Sequence, residues 1–236
     1  MERILKQLVE RLTGAYGSDL ISVVLYGSAA VGDHHGRFSD INIFCVLKRI
    51  TTSELRRSEP VFRWWRDHGN PSPLLMAEDE VARSTDCFPI EFRDIQARHR
   101  ILYGEDVVAG LVVNDVFYRA EVEHELRAKL LRLRQKAGGV LSDRDLLMRL
   151  MLESVSTFGT LFRHALVLAG FEAKWHKREV FQDAAGQLGI DAAPFLALLD
   201  IREGKLKPRA VDPFSLFENY LKQIETVVAA VDRLER

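Results

Sequence analysis

Cysteine is scarce: the 236 residues hold two, Cys45 and Cys87. Two thiols cannot make a disulfide framework, and both border apolar runs, so buried free thiols are expected. No run of eighteen apolar residues occurs, which leaves no candidate for a membrane-spanning helix. Met1-Glu2-Arg3 leads into an amphipathic pattern rather than an apolar leader, so a cytoplasmic protein is expected. Excess charge of either sign is missing too, with 33 Lys and Arg against 34 Asp and Glu and a net charge of −1. Non-specific nucleic-acid binding rests on a basic excess, so nucleic acid is not an expected partner. Internal repeats and low-complexity segments are absent. What the chain does have is apolar material, 47% of its residues, enough for one large core or two smaller ones.

That material is patterned. Ile4, Leu5, Leu8, Val9 and Leu12 recur at helical spacing, which predicts a helix over 2–16 ended by Gly14 and Gly17. A dense Ile and Val run over 20–26 predicts a strand, closed by Gly27-Ser28. A loop with Asp33-His34-His35-Gly36 follows, and its adjacent side chains are better suited to solvent than to converging on one ion. A second strand is expected over 40–47, headed by Asp40-Ile41-Asn42. Its apolar residues run on continuously, as in a central strand covered on both faces.

The chemistry of this stretch follows from its residue types. Gly27 lets the backbone turn sharply and come close to a ligand. If Ser28 opens a short helix, free N–H groups and the hydroxyl are available to phosphate oxygens. Residues two apart in a strand share a face, so Asp40 and Asn42 present two oxygen-bearing side chains together. Mg²⁺ takes such oxygen ligands along with substrate phosphates. Further on, 88–92 reads as a strand by alternation, with Phe88, Ile90 and Phe92 on one face and Glu91 on the other. Glu91 is the first candidate for an additional carboxylate and Asp94 the competitor.

Gly27-Ser28, the loop length and Asp40-x-Asn42 resemble the nucleotidyltransferase superfamily with the DNA polymerase β-like fold. The motif covers about residues 20–47. A looser resemblance, to the kanamycin-nucleotidyltransferase-like and minimal nucleotidyltransferase branches, extends over most of the chain. It implies an α/β nucleotidyltransferase domain with a mixed sheet, followed by an all-α helical bundle. It implies a metal-dependent transfer of a nucleoside monophosphate from ATP or another NTP to a hydroxyl of a small molecule or protein. Gly27 and Ser28 would hold the nucleotide. Asp40, Asn42 and Glu91 would hold one or two Mg²⁺ ions, and Asp40 and Glu91 would be the catalytic pair. Asn42 stands where the family has its second carboxylate. The alternative is therefore a weakened relative that binds nucleotide or protein, as a toxin–antitoxin component would. The acceptor is not identified, and a homodimer or a protein partner stays open.

The rest of the chain is read more coarsely. Thr51 and Glu54 form a capping box for a helix that Pro60 interrupts and that resumes to residue 68. Residues 69–73 form a turn, 74–76 a short strand and 78–84 a helical turn or two. A helix is expected over 94–103. The domain boundary falls between 110 and 111, giving domains of 1–110 and 111–236. Helices are predicted over 117–136, from Ser142 or Asp143 to 169, and over 174–187, 194–202 and 213–234, a bundle by pattern. Arg127, Lys129, Arg132, Arg134 and Lys136 make a basic run on the first of these. A solvated helix face is the plainer reading of it.

Overall fold

The computed structural model describes residues 1–31, 41–113, 116–172 and 174–234. The chain forms two compact units, Met1–Phe117 and Tyr118–Arg236.

The first unit runs α1 (Glu2–Tyr16), β1 (Leu20–Tyr26), β2 (Asn42–Leu47), α2 (Thr52–Asp67), β3 (Leu74–Ala77), α3 (Glu78–Arg83), α4 (Pro89–Ala97) and β4 (His99–Gly104). The sheet is mixed, in the order β3-β2-β1-β4. β1 is antiparallel to β2 and to β4, while β2 is parallel to β3. The two central strands have one core on each face, which explains their unbroken apolar runs. Val23, Leu25, Ile43, Cys45 and Leu47 join Leu5, Leu8, Leu12 of α1 and Val61, Trp65 of α2. Val24, Phe44 and Val46 join Val81 of α3 and Phe92, Ile95 of α4. Phe44 and Phe92 meet edge-on at 6.2 Å between ring centres, a favoured aromatic geometry.

Four expectations are corrected. Pro60 lies inside an uninterrupted α2. It is exposed, so the carbonyl that loses its N–H partner can turn to water, and the buried stripe Glu54, Ser58, Val61, Trp65 runs straight past it. Residues 88–92 are not a strand. Pro89 is the first residue of α4, where its fixed φ suits a helix and its missing N–H costs no bond. The alternation also fails, because Phe88 is 44% exposed while Ile90, Phe92 and Ile95 are buried. Of the helix expected over 94–103, residues 99–103 instead belong to β4, which pairs along β1. Cys45 is a buried free thiol as expected, but Cys87 is exposed.

The predicted capping box of α2 is present. The Thr51 hydroxyl accepts from Ser53 N–H at 3.1 Å, and Glu54 Oε2 accepts from Thr51 N–H at 2.9 Å. Arg57 ties Glu54 at 2.7 Å and Asp19 at 3.0 Å. The hydrogen bond from the Thr51 hydroxyl, with that from Arg57, lowers the Glu54 carboxyl from 4.5 to about 2. A carboxyl lowered on folding stabilises the fold above its unfolded value and loses that effect as pH falls towards the folded one. The expected result is that wild type melts higher than Glu54→Gln above pH 4.5, with the difference shrinking down to about pH 2. Melting temperatures of both proteins across that range check it.

The second unit is helical: α5 (Tyr118–Ala137), α6 (Arg144–Leu168), α7 (Lys177–Leu188), α8 (Ala193–Arg202) and α9 (Pro213–Arg233). Asp143 caps α6, accepting from the N–H groups of Asp145 and Leu146 at 3.0 and 2.9 Å. α6 packs on the other four helices, and Phe158, Phe162, Phe181, Phe195 and Tyr220 form the aromatic centre of that packing. In the basic run of α5, Arg127 pairs with Glu123 and Asp232, Lys129 with Glu125 and Arg134 with Glu225. These contacts fit the plainer reading of that run as a solvated, charge-compensated face.

Candidate active site

Gly27 leaves β1 at φ +78°, a conformation that favours glycine because an L side chain would crowd its own carbonyl. Its N–H donates to the Arg98 carbonyl at 2.9 Å, and its carbonyl accepts from Ala30 at 3.1 Å. Those two bonds fix the turn. Ser28–Val31 then forms a short 3₁₀ segment, so the helical start expected at Ser28 is a single tight turn. The Asn42 amide lies 3.4 Å from where a Gly27 Cβ would stand. The turn and the head of β2 are thus in contact.

A row of side chains crosses the sheet at this end. Tyr26 pairs with Asn42 on one side and with His99 on the other, and directly paired residues share a face. Tyr26 packs on the core that α4 covers. Glu91 and Asp94 lie one turn apart on α4, Glu91 exposed and Asp94 half-buried. Both act on Tyr26: burial first, then the Glu91 and Asp94 carboxylates, push its phenol up to about 12. The phenol therefore stays protonated at neutral pH. His99 is held at both ring nitrogens, by the Gln96 carbonyl and by Asp106, each at 3.2 Å. Burial opposes ionisation of Asp106, but hydrogen bonds from His99, Ala109 and Val108 outweigh it and hold that carboxyl below its usual value.

The expected site residues therefore divide. Gly27 and Asn42 are in contact, Ser28 follows Gly27, and Glu91 and Asp94 reach this end of the sheet electrostatically from a helix rather than from a strand. Asp40, like Asp33, His34 and His35, lies outside the described residues. Among the described residues, no three His, Cys, Asp or Glu side chains gather closely enough to hold a metal ion. Tyr26 and His99 are the polar members that sequence reasoning missed. Alternation with Val24 could have put Tyr26 on this face, whereas His99 gave no signal while its segment read as helix.

A mixed sheet followed by a helical unit gives this chain the fold of a solved nucleotidyltransferase. A solved structure similar to this chain is spectinomycin adenyltransferase AAD(9) from Enterococcus faecialis, determined with ATP and spectinomycin. The likeness has a TM-score of 0.61 and covers 98% of this chain and 99% of that one, and at 11% identity it is a likeness of fold. No protein-family profile matches the chain, and no curated protein matches it in sequence.

Proposed function

We propose that the chain is a metal-dependent nucleotidyltransferase that moves the nucleoside monophosphate of an NTP, ATP for preference, to a hydroxyl of a small molecule or protein. The observation that carries this reading is the full-length likeness to an adenyltransferase determined with ATP. The contact between Gly27 and Asn42 supports it locally. In this reading the Gly27 turn lets the backbone come close to the triphosphate, and Ser28 at its start contacts it. Asn42, Glu91 and Asp94 offer oxygen ligands; the Tyr26 phenol, raised first by burial, is raised further by the Glu91 and Asp94 carboxylates. This chemistry fits Mg²⁺, which takes a few carboxylates plus phosphates. Asp40 and Asn42 would hold the ion, with Glu91 at its side, and the bound ion would offset the charge of the triphosphate. Glu91 accepts the proton of the acceptor hydroxyl as that oxygen bonds to the α-phosphorus. The bond from the α-phosphorus to the bridging oxygen breaks, and pyrophosphate leaves with the electron pair.

Calorimetric titration of ATP with Mg²⁺ tests the reading. Wild type is expected to bind, and Asp40→Ala to bind on the order of tenfold more weakly or worse, equivalent to about 1.4 kcal/mol. Equal binding by the two proteins would show that Asp40 is not part of the site. Asn42 favours a second reading, a binding module, because it is neutral where a second carboxylate would add charge at the metal. If Asn42→Asp creates a transfer activity that wild type lacks, that second reading is the correct one.

A further inference from the structure

The row across the head of the sheet contains one donor that the protein does not use itself. Asn42, Tyr26 and His99 pair across β2, β1 and β4 and so share a face. His99 is committed at both ring nitrogens, to the Gln96 carbonyl and to Asp106. The Asn42 amide faces the Gly27 turn. Tyr26 stands between them, half-buried, with its ring packed on the core of that face. Among the described residues its hydroxyl makes no hydrogen bond. The helical unit treats its tyrosines differently. The Tyr118 hydroxyl meets His164 Nδ1 at 2.6 Å, and the Tyr220 hydroxyl meets that of Ser154 at 3.0 Å. A tyrosine whose ring is held by packing usually finds such a partner.

The surroundings of the Tyr26 hydroxyl limit what can bind it. Gly27 follows directly and turns the chain at φ +78°. Among the described residues, only the Asn42 amide comes within 4 Å of a Cβ placed on Gly27, so a ligand can come close to this backbone. A phenol keeps its proton at neutral pH and can donate it. Such a bond is about twice as strong to a charged oxygen as to a neutral one. The Glu91 and Asp94 carboxylates act on the phenol from α4, and their charge opposes a bare anion. The oxygen must therefore arrive with its own cation, as in a metal-bound triphosphate.

We propose that the Tyr26 hydroxyl donates a hydrogen bond to a triphosphate oxygen of the bound nucleotide. The proposal rests on the nucleotide reading of this site and adds a binding residue to it.

The probe is inorganic tripolyphosphate with Mg²⁺, which does not absorb where tyrosine does. Wild type is expected to bind it, more weakly without Mg²⁺, and ATP should displace it. Tyr26→Phe keeps the ring and should bind on the order of tenfold more weakly, the loss typical of one hydrogen bond to a charged group. Tyr103→Phe removes a half-buried hydroxyl on the other face of the sheet and should bind as wild type does. Difference absorption reads the contact itself. Of the five tyrosines, Tyr16, Tyr118 and Tyr220 are buried, so in Tyr103→Phe a shift of the phenol band on adding the probe reports Tyr26. That measurement leaves Tyr26 in place and decides the matter if Tyr26→Phe melts early. Equal binding by wild type and a well-folded Tyr26→Phe, an equal loss in Tyr103→Phe, or a bound probe that shifts no phenol band would each overturn the proposal and leave the nucleotide reading standing. A probe that ATP does not displace sits elsewhere, which also overturns it. No binding of probe or ATP by wild type would overturn the nucleotide reading and the proposal together.

Discussion

Gly104→Ala is expected to destabilise the first unit by more than about 3 kcal/mol, at the upper end of what single substitutions cost. Gly104 closes β4 at φ +76°, and a Cβ there would stand 1.9 Å from the carbonyl oxygen of Ile21 and 3.3 Å from the Cα of Ser22. The obstacle is backbone of the central strand, so no rotamer change relieves it. The strands must part where Ser22 pairs with Gly104 and where the Ser22 hydroxyl donates to the Glu105 carbonyl at 2.6 Å. Gly69→Ala separates the two contributions. Its φ is +81°, but nothing lies within 4 Å of the added carbon, so only backbone strain of about 1–2 kcal/mol is expected. Urea unfolding of wild type and both variants measures the difference. Equal losses for the two substitutions would mean that β4 moves away freely and that the close approach carries little energy.

Glu91→Gln is expected to lower the initial rate of nucleotidyl transfer by about 100-fold or more, the range for a lost general base. Asp94→Asn should cost less than about tenfold, because the exposed Glu91 is open to an acceptor while Asp94 is half-buried. The prediction rests on the proposed transfer reaction, but it has a readout that needs no substrate. Burial does most to raise the Tyr26 phenol to about 12 and both carboxylates add to it, so neutralising either one should lower its titration part of the way towards 10.0. Ultraviolet titration of the phenol, with Tyr26→Phe to assign the signal, checks this. A phenol that titrates unchanged in both variants would remove the carboxylates from its neighbourhood and Glu91 from the site. The reverse ranking of the two rates would make Asp94 the base.

The parts of the fold legible in the sequence are those whose pattern is local. α1 shows its stripe of Leu5, Leu8 and Leu12, the capping box announces α2, and Asp143 announces α6. The long helices of the second unit follow from the same periodicity. The misread stretch is α4 with β4, and the reason is physical. Six residues beginning His-Arg carry no clear period, and β4 is a strand because β1 lies beside it, a partner far away in sequence. Once that segment reads as helix, Pro89 is pushed into a strand it does not start. The candidate site divides in the same way. Gly27, Ser28 and the head of β2 stand close in sequence and were readable as a unit. The row Tyr26, Asn42, His99 is assembled across three strands, and no local pattern records such a row.

The order β3-β2-β1-β4 leaves the sheet with two outer strands, and each is unsuited to recruiting another chain. β3 is four residues long and is preceded by Pro71 and Pro73, which cannot donate to a neighbouring ladder. β4 carries an exposed Arg100 bound to Glu2 at 2.9 Å, a charge that an incoming strand would have to displace. Short length, proline and charge are the means by which sheets avoid edge-to-edge aggregation. A sheet that needs a long-range partner for β1 is exposed while it waits for one, and these two borders limit what can add to it in the meantime.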